Sequence, residues 1–321
     1  MMSRRSPSLL GAALIVTSAS CFGTLGPLAH YADAAGVSSF VLVTWRAAVG
    51  AVCVVIFLAL RTLAGHRAVR PWRSLPGRDR VFISMAAVTN GLLNLAAFTA
   101  FVRIGIALSL LIFYVYPAFV AVASVVWFGD RLDRIRVTAL ATSLVGVVLV
   151  VAGAGPLGQL DLFGIGLAMV AGLAQTFYAL AARHGFGRIP GGQAAALTMG
   201  GATVVYLLLA LVSGQVATFA QPLASFAALW PVLVAGVVGA GIATVCFIGG
   251  IRLLGAPRAT ILSTLEPVVG VGLAALLFGD RLGTLQLVGG AAIIAAGVLL
   301  QLGRSDGVAE HEAVADLEPA A

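Results

Sequence analysis

The chain has 321 residues, of which 60% are hydrophobic and only 10% charged, with a mean hydropathy of +1.07. A water-soluble domain sits nearer half apolar and a quarter charged, so a soluble fold is excluded: there are too few polar residues to coat it. The net charge is +7, and all 19 basic residues are arginines, mostly in short connections between apolar runs, a placement that speaks for a bilayer and against nucleic acid.

The first seven residues carry Arg4 and Arg5 and lead into an apolar run from Ser8 to His30. A double arginine can mimic an export signal. This run is longer than a signal core and lacks a convincing Ala-x-Ala site, so it reads as a first membrane span. Further runs of helical length follow at Ser38 to Leu60, Val81 to Val102, Ile106 to Phe128 and Ile135 to Gly153. After a connection at 154–161 come Leu162 to Arg183, Gln193 to Ser213, Ala228 to Leu253, Arg258 to Phe278 and Gly283 to Leu302. Each is about the ~20 residues that a bilayer core requires. The expected fold is all-α integral membrane with ten transmembrane helices, closed by an acidic tail at 303–321 that is expected to be disordered. Cys21, Cys53 and Cys246 lie inside apolar runs without metal or redox spacing, which makes them packing residues.

Phe-Gly-Asp-Arg-Leu occurs twice, at Phe128 to Leu132 and at Phe278 to Leu282. Pro117 with Pro267 and Gly105 with Gly255 share the same offset. So long a period is no solenoid. It marks a half-protein duplicated, residues 8–153 and 162–302. Five spans per half is odd, so the second half enters the membrane upside down, the inverted-repeat architecture of many secondary transporters. The plainer alternative is a duplicated membrane scaffold that transports nothing.

Basic residues near span ends stay cytoplasmic. Arg61, Arg67, Arg70, Arg73, Arg78 and Arg80 follow the second span; Arg131, Arg134 and Arg136 the fourth; Arg183 and Arg188 the sixth; Arg252 and Arg258 the eighth. The opposite connections hold only Arg103 and Arg281. The expected placement is a multi-pass protein of the inner cell membrane with both termini cytoplasmic.

The paired pattern of apolar helix, proline, apolar helix, Gly-Asp-Arg-Leu turn and closing helix resembles the EamA domains of the drug/metabolite transporter superfamily. Leu265-Glu266-Pro267-Val268 matches a family motif of the ninth span. Asp130 and Asp280 depart conservatively from the usual Gly-Glu-Arg-Leu turn, and Ser20-Cys21-Phe22-Gly23 stands where the family commonly has Trp-Gly. The resemblance covers Ser8 to Leu302. It implies a ten-helix transporter, often an exporter of amino acids or related metabolites, with a cavity lined mainly by spans one, three, four, six, eight and nine. Spans five and ten would be peripheral. Sugar or nucleotide-sugar exchange, which related families perform, is the alternative within transport.

Two ionisable side chains sit deep in apolar runs, Arg46 and Glu266. An intramembrane charge is costly and is a functional-site hypothesis by default. At 1.5 Å per residue Arg46 lies roughly 12 Å below one face and Glu266 roughly 12 Å above the other. In a core of about 30 Å their backbones differ in height by about 6 Å. Glu266 is then a proton-carrying or substrate-binding acid, a partner for Arg46, or a packing acid beside Pro267; Arg46 alternatively snorkels to headgroups. Tyr116 is the duplicate of Glu266. Pro117 and Pro267 displace the carbonyls of Phe113 and Ser263, giving hinge or packing bends at matching depths. Asn90 and Asn94 share a helix face, either toward substrate or as interhelical glue. Tyr178, Ser263, Tyr114, Gln175 and Thr244 complete the polar groups of the spans.

Ala139, Gly146 and Gly153, and Gly283, Gly290 and Gly297, form small-residue stripes for close packing within the bundle or between protomers of a homodimer. No Walker motif, HExxH or GxSxG is present, so the chain reads as no enzyme, without metal or other cofactor. The expected partners are a small-molecule substrate and membrane lipids, without nucleic acid. The reading is export of a small metabolite, an amino acid or derivative first, by alternating access.

Overall fold

In lipid every backbone polar group must be satisfied within the chain, which leaves an apolar polypeptide the choice of helices or a closed barrel. This chain takes helices. The computed structural model describes residues 7–65, 68–104, 106–130, 133–153, 161–279 and 283–302, and among them there is no strand. The 303–321 tail, Gly105, Arg131 and most of the second Gly-Asp-Arg-Leu turn lie outside the described residues.

The first half comprises α1 (Pro7–Gly23), α2 (Leu25–Ala34), α3 (Ser39–Leu63), α4 (Gly77–Ile104), α5 (Ile106–Phe113), α6 (Tyr116–Phe128) and α7 (Arg134–Gly153). The second comprises α8 (Leu162–Leu180), α9 (Gly191–Ser213), α10 (Phe226–Gly236), α11 (Ala243–Leu254), α12 (Ala256–Ser263), α13 (Leu265–Phe278) and α14 (Thr284–Leu302). Several are halves of one span. Nine stretches of the described chain are long and apolar enough to cross a bilayer, and Thr284–Leu299 is a shorter apolar helix that makes the tenth. Counting spans, both chain ends emerge on one face, here the terminal face; the other is the far face.

The interruptions have local causes. A proline cannot accept the turn of a helix around the carbonyl four residues earlier. Pro117 therefore ends α5 at Phe113, Pro267 ends α12 at Ser263, and Pro27 ends α1 at Gly23. Span eight carries Pro231 inside α10 and then a π-helical segment, Val237–Ile242, that joins α10 to α11. Its counterpart α4 runs unbroken for 28 residues, so the repeat is not strict.

The repeated Phe-Gly motif is a helix terminator. Gly129 and Gly279 cap α6 and α13 with φ of 68° and 72°, the left-handed conformation that closes a helix without Cβ strain. The next helices open on opposite halves of a capping box: Asp133 Oδ1 accepts from the Arg136 amide at 2.7 Å, and Gln286 Oε1 from the Gly283 amide at 2.8 Å.

Helix contacts come in pairs that exchange the two halves. Span three lies on span six as span eight lies on span one; span four lies on span six as span nine lies on span one; spans two and seven, and five and ten, pair with each other. That is the pattern of two five-helix repeats of opposite orientation. Two glycines permit close crossings at the broken spans. A Cβ on Gly23 would stand 3.0 Å from the Glu266 carbonyl, and one on Gly172 would stand 3.3 Å from the Phe113 carbonyl.

The small-residue stripes pack within the bundle. A Cβ on Gly146 would meet the Gly289 carbonyl at 2.7 Å, and one on Gly153 would meet Gln286 at 2.7 Å, so α7 and α14 touch backbone to backbone. Gly290 and Gly297 face Val268 and Leu262 of span nine. Spans five and ten form a side pair away from the polar groups. The three cysteines are free and half-buried.

Candidate functional site at mid-depth

Two polar clusters meet in the middle of the bundle. The first is built on α3, α4 and α9. Arg46 Nη2 donates to Asn94 Oδ1 at 2.5 Å. Asn94 Nδ2 donates in turn to the Asn90 carbonyl at 2.7 Å, so the asparagines act in series along one face of α4. The Tyr206 hydroxyl donates to the Gly91 carbonyl at 3.1 Å and lies against Asn94 and Arg46. Arg46 Nε, although buried, has no partner.

The second cluster is built on the broken spans four and nine. The Tyr114 hydroxyl faces the Glu266 carboxylate, and the Tyr116 hydroxyl faces Ser263 and Gln175. Ser263 Oγ donates its own proton to the Ala259 carbonyl at 2.8 Å. Phe113, Tyr114 and Tyr116 cluster their rings edge-on and tilted, with centroids 5.2–6.3 Å apart. The helix breaks create this geometry, because the turn at Tyr114–Val115 swings both tyrosines toward the start of α13, where Glu266 stands.

Arg46 and Glu266 are near enough to feel each other's charge but are not joined within the 4.0 Å of an ion pair. Arg46 takes Asn94 as its partner, and Glu266 takes Tyr114. Arg46, Asn90, Asn94, Gln175 and Glu266 are half-buried, whereas Tyr114, Tyr116 and Ser263 are buried. A cation and an anion held apart, each with accessible surface, can grip the two ends of one small polar molecule.

Access to this level is one-sided. In α12, the terminal-face half of span nine, seven of eight residues are buried; in α13, the far-face half, Pro267 alone of fourteen is buried. Over 268–275, two turns of α13, every residue keeps accessible surface on every side of the helix. Span four mirrors this, with Val120, Ala121, Ala123 and Ser124 of α6 buried and Leu110 to Phe113 of α5 half-buried. The helices α6 and α12 pack together, while no comparable contact joins α5 to α13. Spans four and nine are shut toward the terminal face and parted toward the far face.

Tyr178 stands elsewhere. Its hydroxyl lies 3.4 Å from Thr198 Oγ1, its ring stacks with Phe247 at 6.2 Å, and Arg252 is nearby, in a buried group nearer the terminal face. The Phe113 carbonyl freed by Pro117 lies against Gly172 of α8. Tyr206 has no mark in the hydropathy of its run. The signal that finds it is depth, since it lies as far from the far-face end of α9 as Arg46 does from that end of α3. Spans two and seven thus bring polar groups to a site that the resemblance places on other spans. At the far face, Arg103 Nε pairs with Asp161 Oδ2 at 2.5 Å and ties the end of α4 to the start of α8. The Arg103 hydrogen bond holds the Asp161 carboxyl below the usual carboxylate range.

The profile of the EamA-like transporter family matches residues 9–152 and again 162–302, covering both halves. The chain belongs to this family. The EamA family lies within the drug/metabolite transporter superfamily. Among curated proteins, one from Archaeoglobus fulgidus described as an "Uncharacterized transporter" is 28% identical over 243 residues, 75% of this chain and 84% of that protein. A solved structure titled "Crystal structure of protein" superposes with a TM-score of 0.72 at 20% identity, covering 94% of this chain and 97% of its own, a likeness of fold. This EamA protein is a membrane transporter of the drug/metabolite type.

Proposed function

We propose that this transporter exports a small zwitterionic metabolite, an amino acid or a derivative, from the cytoplasm by alternating access. The observation that carries the reading is the separated pair of charges at mid-depth. Arg46 is held by Asn94 on one wall and Glu266 by Tyr114 on the other, and neither neutralises the other. A carboxylate at Arg46 and an ammonium at Glu266 would complete both, and the clustered rings from Phe113 to Tyr116 supply an apolar floor. The arginine-rich connections all fall on the terminal face, which supports a cytoplasmic location for it and for both termini. The parted face of spans four and nine then opens outward, as an exporter requires on release. Sites between discontinuous helices at the interface of inverted repeats serve this purpose in other transporters.

The test is efflux from liposomes loaded with labelled amino acids. The expected result is protein-dependent release of at least one of them, abolished or stripped of its pH dependence by Glu266→Gln and cut at least tenfold by Arg46→Gln. Release unaffected by Glu266→Gln at every pH, or no release of any amino acid, overturns the reading.

A further inference from the structure

A second polar site lies on the terminal face, well away from Glu266. A pocket of about 420 Å³ opens there between the start of α4 and the end of the sixth span, lined by Pro76, Arg78, Asp79, His184, Gly185 and Arg188. Its chemistry is unfinished. Asp79 is only 7% exposed, yet its Oδ2 has no hydrogen-bond partner and no arginine within ion-pair distance. His184 Nε2 is likewise buried without a partner, although its ring is pinned by a parallel stack on Phe128 with centroids 3.8 Å apart. Two orphaned polar atoms on one pocket wall are unusual, because a buried carboxylate normally secures donors.

The arginines have not filled that need. Arg78 lies over the Phe82 ring at 5.5 Å, and Arg188 is exposed. The pocket therefore presents one anionic acceptor, the guanidinium groups of Arg78 and Arg188 and an imidazole nitrogen, beside the start of α4. An anion alone would meet Asp79 with like charge. A cation alone would meet Arg78 and Arg188. A molecule carrying both charges a few ångströms apart matches the acid and the two arginines together.

We propose that this pocket binds a zwitterion, its ammonium on Asp79 and its anionic oxygens on Arg78, Arg188 and the start of α4. Such a group comes from a free amino acid waiting at the closed side of the transporter or from a phosphatidylethanolamine headgroup in the adjacent leaflet. The inference goes beyond the transport reading and stands without it, since none of these residues belongs to the mid-depth clusters.

The experiment uses the full chain in phosphatidylcholine nanodiscs. Alanine, acetate and methylammonium are titrated by calorimetry, and thermal midpoints are compared in discs with and without phosphatidylethanolamine. The expected result is binding of alanine, or stabilisation by phosphatidylethanolamine, that weakens at least tenfold or disappears in Asp79→Asn and in Arg188→Gln. It persists in Glu266→Gln, which separates this site from the central one. Response to alanine identifies a free zwitterion, and response to the lipid alone a headgroup; either supports the proposal. Acetate or methylammonium binding as tightly as alanine overturns it. So does loss of binding in Glu266→Gln with retention in both pocket variants, or no response to any probe. Arg188 is exposed, so its variant tests the site even where Asp79→Asn folds poorly.

Discussion

Asn94 decides how Arg46 is used. Its Oδ1 takes the guanidinium and its Nδ2 is anchored on the Asn90 carbonyl, so the amide has one orientation and the arginine one position. A hydrogen bond to a charged group is worth about 1.5–3 kcal/mol net. Asn94→Ala is therefore expected to cut transport at least tenfold while leaving the fold intact, measured as initial efflux rate beside thermal stability. Asn94→Asp should also fail, because the new carboxylate would neutralise Arg46. At the far face the sign of a pH effect is fixed by Asp161. Its folded carboxyl is held low by Arg103, so the pair contributes stability above the ordinary carboxylate range and loses it as pH falls through the lowered value. Asp161→Asn is expected to melt below the parent at neutral pH, with the gap closing in acid, read by thermal unfolding across pH.

At the scale of elements, the α7–α14 contact is the most sensitive to size. A Cβ on Gly289 would stand 2.6 Å from the Gly146 carbonyl and 2.7 Å from the Val150 amide, backbone atoms that cannot turn aside. Gly289→Ala should cost about 1–3 kcal/mol by overpacking. Gly290→Ala, whose nearest neighbour is a Val268 methyl at 3.5 Å, should be neutral. Thermal midpoints of the two variants in detergent check this. The elements were largely legible in the sequence, because spans are set by runs of apolar residues and broken by proline at Pro117 and Pro267. The break at Thr24 obeys the same proline rule through Pro27, although hydropathy alone runs straight across it. The π-helical segment of span eight was not legible: it lies where Gly236 fits Val49 and Gly239 fits Leu25, a tertiary matter. Of the site, the residues of unusual polarity were legible. Their partners were not: Arg46 and Glu266 sit at similar depths, but which acceptor each takes depends on lateral positions of helices that hydropathy does not encode.

For the whole molecule, the uneven burial of span nine makes a prediction about labelling. In a chain with its native cysteines replaced, Val271→Cys on α13 should react with a membrane-impermeant thiol reagent from the far face. Thr260→Cys on α12, fully buried against the terminal-face packing, should not. Tags after Leu60 and after Gly214 should report opposite sides of the bilayer. Finding both on one side would remove the inverted arrangement and the transport reading with it.

Duplication gives the uneven burial of spans four and nine a further meaning. The buried stretch of α6 aligns, at the shared offset, with the open stretch of α13, so that Val120, Ala121, Ala123 and Ser124 correspond to Gly270, Val271, Leu273 and Ala274. The sealed side is thus a template for how the unsealed side would look once it swings shut. All four α13 positions are glycine or aliphatic, suited to a dry seam that forms only transiently. A carboxylate placed at Ala274 would leave the resting shape undisturbed yet jam the cycle at its other extreme.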